Sequence, residues 1–289
     1  MTAAVFGTVL VVVAVLVIVL VSVTGGGKPA AGSGFGMKAA PTSVVSAVTG
    51  VSPSAFTIAG SSVTSSGPWT QFLSVPKKPK PLTEDGKPLI VYVGSNYCPF
   101  CAATRWPLAV ALARFGTFKN LKITSSGLGD EYPGTNTLSF YHTSYTSPYI
   151  AFLASEQCTD VEATVQTAAT EACFGYEPLQ SMSATAGKVF AKYDGTPYQT
   201  STNAGGIPFI DFGNHLIEDG AFMDPTILGG YTHAQIAASL SNPSAAPGQT
   251  ILDAANYYSA EICKLTGGKP GSICNMPVVK QAGAALAKL

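Results

Sequence analysis

A Cys-x-x-Cys motif, Cys98-Pro-Phe-Cys101, follows closely on a short apolar run at residues 88–93. The run, PLIVYV, is rich in β-branched residues and lacks polar alternation, which predicts a strand buried on both faces of a central sheet. A helical stretch follows Cys98 and ends near Gly116, and Pro107 inside it is expected to kink the helix. The motif is therefore predicted at the junction between a buried strand and the N-terminus of a helix.

This position gives the two cysteines different predicted roles. The first sulfur lies over the free N–H groups of the first helical turn, where a thiolate is favoured. Cys98 is thus the expected attacking thiol, and Cys101, one turn further, can resolve a mixed disulfide by attacking the Cys98 sulfur. Pro99 suits the first helical turn because its missing N–H costs nothing there.

A zinc site is the main alternative for a Cys-x-x-Cys pair. Such a site needs two further ligands, and the sequence has no second Cys-x-x-Cys or Cys-x-x-His. The three histidines, His142, His215 and His233, are too scattered to give a ligand spacing. No Gly-x-Ser-x-Gly, P-loop or dinucleotide motif appears. We therefore predict redox chemistry by the thiol pair, without a metal or a cofactor.

The other four cysteines lie in two close pairs, Cys158 with Cys173 and Cys263 with Cys274. A bridge across either short loop would stabilise the fold by roughly 3 kcal/mol, so structural disulfides are favoured. The functional alternative is that one pair relays electrons to the motif. Six cysteines allow 15 connectivities, and the sequence leaves the pairing open.

The first 23 residues contain an uncharged apolar segment, residues 3–23, which spans roughly 30 Å as a helix, or one bilayer crossing. A cleaved signal peptide is the alternative, but its apolar core is usually about 7–15 residues long behind a basic stretch, and no Lys or Arg precedes this segment. The sequence thus predicts a transmembrane anchor over 1–23.

Two signals disagree about the orientation of this anchor. Lys28 and Lys38 follow it, which by the positive-inside rule would keep the main domain in the cytoplasm. Six cysteines in an even set favour an oxidising compartment instead. We give the cysteines more weight and expect a single-pass protein of the cell membrane with its main domain outside the cytoplasm.

Composition divides the rest of the chain into three parts. Residues 24–50 are rich in Gly, Ala, Ser and Pro and are predicted to form a flexible linker. Residues 51–82 have scattered apolar positions and are predicted to be a loosely structured lead-in. Residues 83–289 form the predicted main domain, with a helix-rich insertion at 162–193 and a helical C-terminus.

Within this domain, strands are predicted at 119–125, 138–145 and 149–155, the last two joined as a hairpin. Aromatic residues alternate in that hairpin and are expected to pack on a sheet face, with a peptide-binding groove as the alternative. A strand at 205–212 turns at Gly213-Asn214 into a partner strand, and residues 250–265 form an amphipathic helix. Adjacent acids at 130–131 and 218–219 are interpreted as solvated turn residues.

The order of a strand, Cys-Pro-Phe-Cys, a kinked helix and a distant Gly-Ile207-Pro208 before a strand resembles the thioredoxin superfamily over roughly residues 83–265. The resemblance implies an α/β thioredoxin-like fold with insertions. It also implies that Pro208 is cis and faces the cysteines, and that the Ile207 backbone pairs with a substrate strand. Tyr92 replaces the buried acid of thioredoxins and Tyr97 their tryptophan, so the proton acceptor for Cys101 is left unassigned.

A narrower resemblance rests on FYHTSYTSPYIAF at 140–152 together with ICKLTGGKPGSIC at 262–274. These segments resemble a membrane-anchored thioredoxin-like family catalogued as a domain of unknown function, which implies no activity. The Pro-Phe dipeptide between the cysteines is similar to glutaredoxin and bacterial disulfide-oxidase motifs, and it leaves the direction of the redox reaction open.

These observations predict a membrane-anchored thiol–disulfide oxidoreductase acting on exported cysteine-containing proteins, with a membrane redox partner. The rival interpretation is a non-catalytic thioredoxin-like scaffold in which the cysteines form structural disulfides. Sixteen basic and sixteen acidic side chains cancel, and no long Lys/Arg run is present, so nucleic acid is excluded as an expected partner.

Overall fold

In the computed structural model, residues 36–61, 71–75, 79–199 and 204–288 are described. They form a mixed α/β structure with several sheets. The strands are β1 (Lys38–Ala39), β2 (Gln71–Ser74), β3 (Thr83–Glu84), β4 (Lys87–Gly94), β5 (Thr117–Lys119), β6 (Lys122–Ser125), β7 (Asn136–Ser139), β8 (Ser144–Thr146), β9 (Ala151–Glu156), β10 (Cys158–Glu162), β11 (Tyr176–Pro178), β12 (Phe209–Phe212) and β13 (Leu216–Asp219).

The helices alternate with these strands and then follow them to the end of the chain. They are α1 (Thr42–Thr49), α2 (Pro53–Ala59), α3 (Pro99–Ala113), α4 (Ala168–Ala172), α5 (Ala184–Tyr193), α6 (His233–Ser239), α7 (Gly248–Leu265), α8 (Gly271–Cys274) and α9 (Pro277–Leu286), with a 3-10 helix at Pro225–Leu228. The helical C-terminus and the helix predicted at 250–265 are confirmed.

The main sheet has β4 at its centre. β4 pairs in parallel with β9 and antiparallel with β12, which continues through β13 to β2, while the short β3 pairs with the start of β4. The predicted hairpin of β12 and β13 is confirmed, with Gly213 and Asn214 at its turn. Both residues have φ of 62°, and positive φ at two consecutive positions is what a type I′ turn requires.

Strand β4 is buried on both faces, as its uninterrupted apolar sequence predicts. Ile90 and Tyr92 face a large apolar cluster that includes residues of α3 and α7. Leu89, Val91 and Val93 face the opposite way, into a smaller cluster with residues of α5. The strand thus positions the following loop and the Cys-x-x-Cys motif at one edge of the core.

The predicted hairpin between 138–145 and 149–155 is wrong. β7 pairs with β6 and β8 with β5, whereas β9 lies in parallel beside β4 in the main sheet. A turn containing His142, whose φ is 53°, interrupts the segment read as one strand. Its aromatic residues nevertheless pack together as expected: Phe152 contacts Phe140 and Tyr145, and all three contact Phe118.

The described parts of the predicted linker and lead-in contain regular structure that their composition does not indicate. Within 24–50, residues 42–49 form α1, whose Val44 and Val48 lie one turn apart and are buried. Within 51–82, Ser52 caps α2, and β2 forms an edge of the main sheet. The partners of α2 lie far along the chain: the Asn256 side chain donates hydrogen bonds to two backbone carbonyls at the end of α2. Local composition carries no signal of such distant contacts.

The region predicted as a helix-rich insertion, 162–193, holds α4 and α5 but also β11, which pairs with β10. The predicted anchor over 1–23 lies outside the described residues. Among the helices of the part that is described, no single one is long and apolar enough to cross a membrane, and α1 and α2 meet that criterion only as a pair bent by 72°.

Candidate active site

Cys98 occupies the N-cap of α3, four residues after the end of β4. Its sulfur accepts a hydrogen bond from the backbone N–H of Cys101 at 3.1 Å, and Pro99 stands at the first helical position. Both cysteines of the motif are free thiols. The structure therefore places the motif at the strand-to-helix junction that the sequence predicts.

Ile207 and Pro208, the predicted substrate-binding residues, lie next to Cys98 although they are more than a hundred residues away in sequence. The Ile207–Pro208 peptide bond is cis. The Ile207 carbonyl oxygen accepts a hydrogen bond from the Cys98 thiol, with the sulfur and oxygen 3.7 Å apart. The Pro208 carbonyl in turn accepts from the Gly220 N–H at 2.8 Å, which fixes this loop to the end of β13.

The environment of the Cys98 sulfur opposes the thiolate that the helix N-terminus predicts. Burial raises the pKa of Cys98 well above its ordinary value, and a hydrogen bond with the Cys101 thiol adds to the rise. The Cys101 N–H and the Arg105 guanidinium lower the pKa, but they do not outweigh burial. Only 4% of Cys98 is exposed, and Cys101 is fully buried. Burial and the helix N-terminus thus act in opposite directions on the Cys98 thiol, and burial has the larger effect on its pKa.

A buried ion pair lies beneath the motif. Arg105 is one turn after Cys101 on α3, and its guanidinium donates to both carboxylate oxygens of Glu156 on β9, at 2.9 and 2.7 Å. A third hydrogen bond goes to the Ser95 carbonyl in the loop before the motif, at 2.6 Å. Burial alone would lower the pKa of Arg105, but Glu156 keeps it above its ordinary value. Arg105 thus ties helix, loop and sheet together.

Sequence reasoning missed this pair. Its one available signal was Arg105 itself, a single charge in an otherwise uncharged helix from Pro99 to Ala113. The partner, Glu156, lies 51 residues later, and nothing local marks it.

A groove of about 420 Å³ opens beside Cys98, and we refer to it as the Cys98 groove. Aromatic rings form much of its wall: Tyr97 and Tyr176 are stacked with ring centroids 4.6 Å apart, and Phe174 stands at the rim with 77% of its surface exposed. Its lining consists of Tyr97, Cys98, Pro99, Phe100, Gly129, Asp130, Glu131, Phe174 and Tyr176.

The disulfide between Cys158 and Cys173 belongs to the same apolar cluster as Cys98 and Cys101. Its Cα atoms are 5.7 Å apart, and the Cys158 carbonyl accepts from the Asn96 N–H, two residues before the motif. The second disulfide, between Cys263 and Cys274, joins the end of α7 to α8. Both favoured local pairings are therefore confirmed, and one of them borders the site.

The three histidines have separate surroundings. His142 stacks on Tyr141, His215 contacts the Glu261 carboxylate at 2.5 Å, and His233 contacts two backbone carbonyls in the core. Within the described ranges, no group of three or more His, Cys, Asp or Glu side chains could hold a metal ion.

Comparison with known proteins gives one match. The family model described as a domain of unknown function (DUF929) matches residues 74–264, about two thirds of the chain. This span includes the motif, the disulfide between Cys158 and Cys173, and the Ile207–Pro208 bond. No curated protein and no solved structure matches the chain.

Proposed function

The chain belongs to the DUF929 family, and from that premise we propose that it is a membrane-anchored thiol–disulfide oxidoreductase that acts outside the cytoplasm. The observation that carries the proposal is the surroundings of Cys98. A free thiol pair caps a helix at the edge of a buried sheet, and the first sulfur lies 3.7 Å from the Ile207 carbonyl beside a groove. In this proposal Cys98 is the nucleophile and Cys101 the resolving thiol.

The connectivity of the sheet supports a thioredoxin-like assignment for the domain. Its central strands lie in the order β9, β4, β12, β13, with β4 and β9 parallel and the last two antiparallel. Helices α3 and α7 pack against one face of the sheet, and α5 packs against the other face. Together with the cis bond before Pro208, this arrangement agrees with the resemblance drawn from the motif.

The reaction proceeds by two thiol–disulfide exchanges. In the reducing direction, Cys98 loses its proton and attacks one sulfur of a substrate disulfide; that bond breaks, and the other substrate sulfur leaves and takes up a proton. Cys101 then loses its proton and attacks the Cys98 sulfur. The mixed disulfide breaks, the second substrate thiol is released, and the motif is left oxidised. Two electrons pass to the substrate, and the reverse sequence oxidises a substrate dithiol.

Ile207 has the position needed to orient the substrate. In the free protein its carbonyl oxygen accepts a hydrogen bond from the Cys98 thiol. An extended substrate segment that pairs with the Ile207 backbone would bring its own sulfur next to Cys98, in the manner of strand addition. The same segment would exclude water from the exchange.

The proposed substrates are exported cysteine-containing proteins, and the proposed location is the outer side of the cell membrane. The uncharged segment at 3–23 supports an anchor, and the two disulfides support an oxidising compartment. A redox partner in the same membrane, of a dithiol or quinone-coupled kind, would restore the motif after each turnover.

The test uses the full chain in detergent micelles with insulin as a disulfide substrate. We expect Cys98→Ser to abolish reduction and Cys101→Ser to accumulate mixed disulfides, because the resolving thiol is then missing. A double Cys263→Ser, Cys274→Ser variant serves as the matched control, since this disulfide lies away from the groove. Equal activity of the wild type and Cys98→Ser would overturn the proposal.

The direction of the reaction is read from the reduction potential of the motif, measured by equilibration with glutathione and mass spectrometry of alkylated thiols. A value of about −120 to −200 mV would indicate an oxidase or isomerase, and one near −270 mV a reductase.

A second candidate function is a non-catalytic scaffold, which is favoured by the burial of Cys98 and the raised pKa of its thiol. Buried cysteines with raised pKa values are usually unreactive. A Cys98–Cys101 bridge that resists millimolar reductant in the folded protein would support the scaffold, whereas a reversible couple would exclude it.

A further inference from the structure

We propose that the Cys98 groove selects extended cysteine-bearing segments in which the cysteine has aromatic or aliphatic neighbours flanked by lysine or arginine. This inference rests on the proposed oxidoreductase function and adds the chemical class of the substrate. Three features of the groove carry it: an exposed aromatic ring, a stacked aromatic wall and a pair of carboxylates.

The exposed ring is that of Phe174, which has 77% of its surface accessible. Together with Tyr97 and Tyr176 it forms a group of aromatic rings at the groove, and grouped apolar surface of this kind marks a binding surface. Its backbone is anchored: the Phe174 N–H donates to the Glu171 carbonyl at 3.0 Å, and the preceding Cys173 is bridged to Cys158. The ring is therefore presented at the rim of the groove.

The aromatic wall lies between Phe174 and Cys98. Tyr97 stacks on Tyr176 with the two rings parallel within 1°, and its centroid is 6.1 Å from that of Phe174. The wall depends on a close approach of the next loop, since a Cβ on Gly127 would overlap the Tyr176 hydroxyl. Flat aromatic faces of this kind bind apolar and aromatic side chains without a strict sequence requirement.

The groove also has an acidic part, next to the aromatic wall. Asp130 and Glu131 line it, Asp130 half-buried and Glu131 exposed, and none of the described lining residues is a lysine or arginine. The loop that carries them is fixed to the motif, because the Gly127 N–H donates to the Tyr97 carbonyl at 2.7 Å. It is closed on itself by the Ser126 hydroxyl, which donates to the Tyr132 carbonyl at 2.7 Å.

This charge decides between possible occupants. Burial raises the pKa of Asp130, and the Glu131 N–H, which donates to its carboxylate at 2.7 Å, opposes the rise. Two adjacent carboxylates repel an acidic segment. A basic side chain would instead neutralise the pair and regain the electrostatic energy lost on desolvation. The Glu162 carboxylate lies near Gly129 and adds a further acidic group next to this pair. A cationic segment with apolar neighbours to its cysteine therefore fits both the aromatic and the acidic residues of the groove.

The test uses three symmetric peptides, KFCFK, EFCFE and KGCGK, each with its cysteine in a mixed disulfide with 2-nitro-5-thiobenzoate. When Cys98 attacks the peptide sulfur, the S–S bond breaks and the nitrothiobenzoate leaves as a coloured thiolate. The reduced full chain in neutral detergent is the reactant. Each rate is divided by the rate of the same peptide with dithiothreitol, which removes differences in intrinsic reactivity.

We expect KFCFK to react about tenfold faster than EFCFE at low ionic strength, with the ratio falling as salt screens the carboxylates. KFCFK should also exceed KGCGK by about fivefold, because the aromatic side chains bind the aromatic wall. The double variant Asp130→Asn, Glu131→Gln should reduce the charge preference at least threefold. Phe174→Ser should reduce the preference for the phenylalanine peptide.

Matched controls are available elsewhere on the chain. Glu84 and Asp85 are an exposed acidic pair at the far end of β4, and Ile58 is 57% exposed on α2. Glu84→Gln with Asp85→Asn, and Ile58→Ser, should leave both preferences as in the wild type. Release at equal normalised rates from all three peptides would overturn this inference and leave the oxidoreductase proposal intact. A wild type that releases no thiolate from any peptide would overturn both.

Discussion

Arg105 and Glu156 form a two-point ion pair beneath the Cys-x-x-Cys helix, and neither side chain has any exposed surface. Glu156 also accepts a hydrogen bond from the Phe140 N–H at 3.1 Å, so the pair connects α3, β9 and the loop after β7. A buried pair of this kind stabilises little relative to an apolar one, but breaking it leaves an uncompensated charge in the core.

The first prediction concerns the stability of this pair. Arg105→Met and Glu156→Gln should each lower the free energy of unfolding by about 3–5 kcal/mol, because each leaves a buried group without its partner. The double variant should cost clearly less than the sum of the two. Urea unfolding of the full chain in mild detergent measures all three. Additive losses would contradict a direct coupling between the side chains.

The second prediction is a loss of stability as the pH rises. Burial raises the pKa of Glu218 to about 8, although the Tyr258 hydroxyl donates to it at 2.9 Å. Because the folded state holds this proton more tightly than the unfolded state, the stabilisation is complete below the unfolded pKa of about 4.3 and is lost as the pH rises through 8. The free energy of unfolding should therefore fall by on the order of 1.4 kcal/mol per pH unit between about pH 5 and pH 8.

The matched variant for this prediction is Glu218→Gln, which keeps the oxygen that accepts from Tyr258 but cannot ionise. Asp211 and Asp219 also have pKa values raised by burial to about 7, so both proteins should lose stability up to that pH. Because these two contributions are common to both proteins, the difference between wild type and variant should grow between about pH 5 and pH 8 in favour of the variant. Parallel curves from unfolding at each pH would show that Glu218 is not the group responsible.

How much the sequence predicts depends on how local the signal is. β4, the motif, α3 and the hairpin of β12 and β13 follow from short patterns within contiguous segments of the sequence, and each is confirmed. Helices α1 and α2 are short, and the side chain that bonds to the end of α2 lies about 200 residues later, so composition alone predicted a linker and a loosely structured lead-in. The parallel pairing of β9 with β4 likewise depends on contacts between segments that are distant in sequence, which no local pattern indicates.

The candidate site shows the same division. The position of the cysteines was predictable, and a family resemblance pointed to Ile207 and Pro208. For the pKa of Cys98, the helix terminus is visible in the sequence, whereas the burial that opposes it is not. Glu218 and Asp219 were interpreted as solvated, yet they lie in β13, which is covered by strands on both sides.

The third prediction concerns the reactivity of Cys98. Burial raises the pKa of its thiol, so the rate of alkylation of the reduced folded protein by iodoacetamide should still be rising at about pH 9, beyond the ordinary thiol pKa of about 8.5. Mass spectrometry of peptides across a pH series gives the rate at Cys98 alone. The same protein in concentrated urea should titrate near the ordinary value. A plateau reached below about pH 7 would instead indicate a stabilised thiolate.

The fourth prediction separates the two disulfides. Each closes a short loop, so replacing either pair by serine should cost roughly 3 kcal/mol of stability. Their effects on the site should differ. The bridge between Cys158 and Cys173 precedes Phe174 and shares a cluster with the motif, whereas the bridge between Cys263 and Cys274 joins α7 to α8.

Removing Cys158 and Cys173 together should therefore slow disulfide exchange at Cys98 severalfold under conditions where the variant is still folded. Removing Cys263 and Cys274 should lower stability by a similar amount without this loss of rate. Because the two variants are matched in stability, a slower exchange in the first cannot be ascribed to unfolding. Equal exchange rates in both would mean that the first bridge stabilises the fold without shaping the groove, and electron relay through it would be excluded by the same result.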